Sequence, residues 1–328
     1  TATLPATLGA DAPYENMGTI QTKGWELAID YRHTFKNGLH FGVTASVADD
    51  KTEVTKWTYN TKIPSYGATG WWDKSAYKEG MVLGDIWGLQ FDRFLTEDDF
   101  NADGSLKAGL PDQTKVFPAG YQFAPGDVLY KDLDNNGEIV KQTNTNDKGD
   151  LSVIGNALPR LQFGLNLDAA WKGFDISMFF QGVAKRKLWA AGNQVLPGFT
   201  TGEPFYKGAE DYWTPENTDA FYPRPMDYKQ SASGNYSVND RYLLNMAYLR
   251  LKTFTVGYSL PKVWLSKFKV QGLRVYFTGE NLFTIDGVKP AIDPEIGIRT
   301  ASGKSDQRNF GRSYPYQKTV SFGIQLSL

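Results

Sequence analysis

The sequence predicts an all-β chain built as part of an antiparallel transmembrane β-barrel, with about seven membrane strands joined on one side by long extracellular loops. Three observations predict it. Apolar and polar residues alternate with a period of two over stretches long enough to cross a bilayer. The connections between those stretches alternate short and long. No run approaches the roughly 18 consecutive apolar residues that a membrane helix requires.

Residues 23–33, KGWELAIDYRH, set Trp25, Leu27, Ile29 and Tyr31 on one face and Glu26, Asp30 and Arg32 on the other. A turn at Lys36, Asn37 and Gly38 leads into 39–47, where Leu39, Phe41, Val43 and Val47 alternate with His40, Thr44 and Ser46. The clearest hairpin is 160–171 with 174–182. Leu161, Phe163, Leu165, Leu167, Ala169 and Trp171 oppose Gln162, Gly164, Asn166 and Asp168; a turn at Lys172 and Gly173 follows, and the pattern resumes with Phe174, Ile176, Met178 and Phe180. Three further strands are predicted at 247–260, 272–283 and 316–328; the first of these loses its phase near Thr253, as a β-bulge would cause. These segments match the roughly 9 to 11 residues of a tilted membrane strand better than the roughly 5 or 6 usual in soluble sheets.

The connections are short at 34–38 and 172–173, moderate at 261–271, and long at 48–159, 184–246 and 284–315. Short turns on the periplasmic side and long loops outside are the asymmetry of outer-membrane barrels. GDIWGLQFDRFL at 84–95 is also strand-like, but as a crossing it would put a long loop on the turn side, so it is expected to form a loop hairpin above the membrane. An odd strand number puts Leu328 in the periplasm and Thr1 outside. A seven-stranded sheet with two bare edges would not persist in lipid, so the chain is expected to be a fragment or to pair with another segment. Leu27, Phe41, Leu165, Ile176, Val275 and Phe322 are expected to face lipid. Asp30, Thr44, Asn166, Ser177, Arg274 and Ser321 are expected to face the lumen.

Composition removes several other classes. The 35 basic and 36 acidic residues give a formal charge of −1 and form no basic stripe, which argues against nucleic acid as a partner. The absence of cysteine rules out disulfides, thiolate catalysis and cysteine metal sites. The start, TATLPATLGADAPYENMG, has no basic segment followed by an apolar one, so an export signal is expected outside this sequence. An aromatic content of 14% with 33 glycines suits strands, tight turns and aromatic surfaces.

Several stretches resemble the C-terminal barrel portion of SusC/RagA-like TonB-dependent outer-membrane transporters. They are NMGTIQTKGWELAI (16–29), PGDVLYKDLDNNGEI (125–139), IGNALPRLQFGLNL (154–167), KGFDISMFFQG (172–182), YWTPENTDAFYPRP (212–225), YLRLKTFTVGYSLP (248–261) and LRVYFTGENLFTI (273–285). They occur in the family's order and span nearly the whole chain. The resemblance implies that 1–328 is the C-terminal part of such a barrel, the N-terminal plug and earlier strands being absent from it. It implies nutrient import, of an oligosaccharide or a peptide, across the outer membrane of a Gram-negative, Bacteroidetes-like cell. A SusD-like surface lipoprotein would act as lid, and TonB would supply energy through the absent N-terminal region.

Two sites follow from the residues. KDLDNNGEIV puts Asp132, Asp134 and Asn136 at positions one, three and five of a calcium-loop pattern, with Gly137 at six for the sharp turn and Glu138 at seven offering its carbonyl. Position twelve is Thr143, so Asp147 or Asp150 would have to close a structural Ca²⁺ site; an Asx-rich turn without an ion is the other reading. The loops are dense in aromatics, among them Trp71, Trp72, Trp189, Tyr212 and Trp213. Such rings either present a substrate and lid face or fill small cores inside the loops. Glu97, Asp98 and Asp99 form a carboxylate run of the kind that is usually solvated.

Catalytic motifs do not support an enzyme. The two histidines, His33 and His40, flank a short turn, and HExxH, GxSxG and a Gly-rich phosphate loop do not occur. The competing expectation is a secreted soluble β-sandwich that binds carbohydrate. A sandwich buries its apolar strand faces against a second sheet, whereas a barrel turns them to lipid.

Overall fold

The computed structural model describes residues 16, 18–58, 78–141, 148–190, 192–199, 204–226, 234–266, 270–289, 292–295 and 314–327. Seven long strands form one antiparallel sheet: β1 (Gly18–Thr34), β2 (His40–Trp57), β7 (Arg160–Trp171), β8 (Phe174–Lys185), β11 (Tyr248–Ser259), β12 (Gly272–Asp286) and β13 (Thr319–Ser327). Their order in the sheet is their order in the chain, so each strand lies beside the next long strand in sequence. The edges are β1 and β13.

The turns at one end are short for local reasons. Gly38 has φ +82 and its N–H donates to the Phe35 carbonyl at 2.9 Å, closing the β1–β2 turn. Lys172 and Gly173 have φ +48 and +88, the pair of left-handed residues that a two-residue hairpin matched to strand twist demands. The third turn carries a short helix, Lys262–Leu265, that leaves Val263 and Trp264 exposed. Thr253 marks a register shift against both β8 and β12, so the phase loss in the sequence is a bulge.

Register carries one face across the sheet without a break. Leu27 pairs with Val47, Val47 with Phe163 and Phe163 with Gly182. Toward the other edge, Trp171 pairs with Phe174, Phe174 with Tyr258, Tyr258 with Val275 and Val275 with Ile324. Directly opposed residues share a face, so all six residues expected to meet lipid lie on this apolar side and the six expected to meet the lumen lie on the other. Among the described residues no second layer covers the apolar side: Leu27 is 51% exposed and Phe322 83%. The sandwich expectation is therefore corrected, because a sandwich would bury these side chains. No helix among the described residues is long and apolar enough to cross a membrane, a statement that does not bear on strands.

The opposite face is polar and cross-linked. Thr44 Oγ1 donates to Asp30 Oδ2 at 2.6 Å, and the Arg274 guanidinium reaches Asp175 at 2.5 and 3.0 Å across the intervening β11. That reach needs Gly257, whose missing Cβ would lie 2.5 Å from Arg274 Nη2. Arg250 is buried between Asp293 at 2.6 Å and Glu295 at 2.7 Å, with Lys252 on Glu295 at 2.9 Å.

At the end away from the short turns, the two longest connections fold into a lobe. Its short strands are β3 (Asp85–Gly88), β4 (Phe91–Phe94), β5 (Val128–Tyr130), β6 (Ser152–Asn156), β9 (Lys187–Leu188) and β10 (Leu244–Asn245). The expected hairpin at 84–95 does not form: β3 pairs with β6 and β4 with β5, so each half of that segment finds a partner much later in the chain. One core gathers Ile86, Leu188, Trp189, Tyr222, Tyr242 and Met246, and a second gathers Leu89, Phe94, Val128, Tyr130, Ile139 and Trp213. β1 and β2 are longer than expected because their polar ends, such as Lys51 and Glu53, keep pairing beyond the last contact of β2 with β7 at Ala48.

Candidate functional site

The calcium-like loop makes the sharp turn its glycine permits, with Asn135 at φ +58 and Gly137 at φ +86. Asp132 accepts the Gly137 N–H at 2.8 Å and Asp134 accepts the Asn136 N–H at 3.1 Å. Asp150, wholly buried, accepts the N–H groups of Leu133 at 2.7 Å and Val140 at 2.8 Å, which brings it beneath the turn. One carboxylate oxygen from each of Asp132, Asp134 and Asp150 lies within 4.8 Å of the other two. Ligands about 2.3–2.6 Å from one Ca²⁺ are separated by no more than about 5 Å, so the three could share an ion. Desolvation, together with the neighbouring Asp150 and Asp132 charges, pushes the Asp134 carboxyl up, a penalty that a bound cation would relieve. Asp132 is also penalised by desolvation, but the N–H groups of Gly137, Asn135 and Asn136 outweigh it and hold its carboxyl down.

One side chain of the expected ligand set is engaged elsewhere, while Glu138 was expected to offer its backbone carbonyl rather than its carboxylate. Asn136 Oδ1 accepts the Glu138 N–H at 2.8 Å, closing the turn on itself, and the Glu138 carboxylate pairs with Lys115. Asp147 lies outside the described residues. The three carboxylates that converge are thus drawn from positions one and three of the loop and from the alternative closing residue.

The aromatic face is corrected in part. Trp189 is 1% exposed and Trp213 7%, each packed in a lobe core where its indole cannot meet substrate or lid. The Trp213 ring closes over Gly126, where a Cβ would stand 2.5 Å from it. Tyr212 is exposed and lines a cavity of about 420 Å³ with Phe205, Tyr206, Tyr222, Pro223 and Tyr236. Trp71 and Trp72 lie outside the described residues.

Two polar centres have no local signal in the sequence. Asp127, wholly buried, accepts from Tyr121 Oη at 2.8 Å, Arg224 Nε at 2.8 Å, Asn235 Nδ2 at 2.9 Å and the Ala124 N–H at 2.9 Å, joining the two long connections at one carboxylate. Asp99, read as part of a solvated run, is buried instead. Arg93 grips it with two bonds of 2.6 and 2.7 Å, and these lead the causes that hold its carboxyl down at about 2.

A single-layer antiparallel sheet with an unbroken apolar face, a hydrogen-bonded polar face, short turns at one end and a packed lobe at the other is the wall of a membrane β-barrel. Comparisons with known proteins point the same way. No family model matches the chain. It is 26% identical over 335 residues to TonB-dependent receptor P3 of Formosa agariphila, an alignment covering 98% of this chain and 30% of that protein. Against TonB-dependent receptor SusC of Bacteroides thetaiotaomicron it is 22% identical, covering 96% of this chain and 27% of SusC. Among solved structures, the RagAB peptide transporter superposes with a TM-score of 0.65 at 19% identity, covering 98% of this chain and 31% of that one. The chain is therefore SusC/RagA-like over nearly its whole length and spans about a third of the length of the curated relatives it matches.

Proposed function

We propose that the chain is the C-terminal part of the barrel of an outer-membrane, TonB-dependent nutrient importer, the plug and earlier strands lying outside it. The observation that carries this reading is the continuous apolar face, which water would penalise and lipid would not. In this reading the bare edges of β1 and β13 pair with strands outside the chain, and the polar face lines the lumen or meets the plug. The lobe stands outside the cell beneath a SusD-like surface lipoprotein, and TonB engages the N-terminal region. The cargo is an oligosaccharide or a peptide, and no catalytic step is involved. The test is deletion of the gene for the full-length protein, scored by loss of growth on one such nutrient and by co-purification of a SusD-like lipoprotein with the tagged protein. Recovery of the protein from the soluble fraction, or unimpaired growth on all such nutrients, would overturn the reading.

The loop of Asp132, Asp134 and Asp150 is proposed to hold a structural Ca²⁺ that stiffens the lobe. Chelation should then expose residues 132–150 to protease, and Asp150→Asn should remove the calcium dependence. Equal cleavage with and without calcium would leave the Asx-turn reading standing.

A further inference from the structure

The end of the sheet that carries the short turns differs in charge from the end that carries the lobe. The turns at 35–39, 172–173 and 260–271 contain five lysines and neither aspartate nor glutamate, whereas the long connection at 58–159 contains 15 acidic and 9 basic residues. Charge of one sign gathered at one end marks that end for a partner of the other sign. Each turn also sets an exposed apolar side chain beside a lysine in the chain. Phe35 precedes Lys36, Trp171 and Phe174 flank the turn of Lys172, and Val263 and Trp264 follow Lys262, these last two being 77% and 61% exposed.

The three turns form one rim. Trp171 Nε1 donates to the Asn37 carbonyl at 3.2 Å and the Ser259 N–H donates to the Gly173 carbonyl at 2.7 Å, which ties the middle turn to its neighbour on either side. Lys172 Nζ stands 4.5 Å from the centre of the Trp171 ring, and register puts that ring on the apolar side of the sheet. The short helix Lys262–Leu265 buries Leu265 and leaves Val263 and Trp264 uncovered. We propose that this rim binds the headgroups of anionic glycerophospholipids in the leaflet at the turn end of the barrel, with Lys36, Lys172 and Lys262 on the phosphates and the neighbouring rings at the boundary of the acyl chains. A soluble acidic partner would pair with the lysines and leave Val263 and Trp264 in water. A leaflet accepts both, because a lysine stem lies along apolar surface while its ammonium reaches the headgroup, and an indole is most stable at that same depth. The rim also continues the apolar face that the barrel reading puts in lipid, so the inference rests on that reading and adds the headgroup charge that the turns select.

The test uses the full-length protein folded into phosphatidylcholine vesicles, with spin-labelled phosphatidylglycerol or phosphatidylcholine added as the probe of the lipid held against the protein. Phosphatidylglycerol should be retained about 5-fold over phosphatidylcholine at low salt. The preference should vanish in about 1 M salt, which screens the lysines, and in the triple variant Lys36→Gln, Lys172→Gln, Lys262→Gln. All three side chains are exposed, so the variant should melt as the parent does. A nitroxide on Val263→Cys should be relaxed more by oxygen, which concentrates in lipid, than by a water-soluble nickel chelate. Equal retention of the two lipids by the parent, or a preference that the triple variant keeps, would overturn the proposal. So would a nitroxide reached chiefly by the nickel chelate, which would hand the rim to a soluble acidic partner. Refusal of the protein to enter vesicles would sink the barrel reading, whereas entry without any lipid preference would sink this inference alone.

Discussion

In the sheet, Phe322, Ile324 and Leu27 turn outward with most or half of their surface accessible, whereas in the lobe Ile86, Leu89 and Leu196 have none. Both regions are assembled from alternating or clustered apolar residues and close polar pairs, but they place them in opposite senses. The lobe encloses its apolar side chains and knots itself together through buried groups such as Asp127 and Asn235. The sheet encloses nothing on its apolar side and keeps its ion pairs on the other, where Arg274 meets Asp175. Each region is thus built for a different solvent. A water-facing domain must hide apolar surface inside itself, while a wall in lipid needs only backbone pairing and an apolar exterior.

Removing the knot should separate the two regions most strongly. Asp127→Ala strips the acceptor from Arg224, Tyr121 and Asn235 together and should cost the lobe about 3–5 kcal/mol. Limited proteolysis should then cut the lobe while the strands of the sheet stay protected; equal loss of both would mean that the two regions are one cooperative unit. Next in size is a charge on the sheet. Ile176→Arg on the apolar face should cost about 2–4 kcal/mol in lipid, against little for Ser177→Arg one residue along on the polar face. Urea titration of protein folded into vesicles compares them, and similar costs would refute the assignment of faces.

Acid should also loosen the lobe at Asp99. The Arg93 bonds hold the folded Asp99 carboxyl down at about 2, below the ordinary aspartate value of 3.8, so its contribution is present above about pH 3.8 and is lost as pH falls toward 2. With Asp99 nearly enclosed and Arg93 partly exposed, the loss is about 1–2 kcal/mol. Asp99→Asn should abolish that part of the pH dependence of lobe protection, and an unchanged acid profile would remove Asp99 as its source. The smallest effect is expected at Gly257→Ala. The added methyl displaces only the end of the Arg274 side chain, so disturbing its partly exposed pair with Asp175 should cost less than about 1 kcal/mol. A thermal melt in detergent that fell by more than a few degrees would show that the polar face is packed more rigidly than these exposures imply.

The seven strands, the apolar phase of each, the turns at Gly38 and Lys172–Gly173 and the bulge at Thr253 were all legible in the residues, because each depends on neighbours a few positions apart. The turn geometry of the Asp132 loop was legible for the same reason: Gly137 and the Asx spacing are local features. Contacts between distant parts of the chain set the rest. That β3 pairs with β6 and not with β4, that Asp99 is buried against Arg93, and that Trp189 and Trp213 fill cores depend on packing within the lobe. Asp127 gathers Arg224 and Asn235 from about a hundred residues further along the chain, and Tyr222 and Tyr236 come together only because Tyr242 packs against both. A strand in lipid repeats one simple rule along its length, so its sequence carries a period. A packed lobe satisfies each buried polar group by whichever distant partner the fold supplies, and no period records that choice.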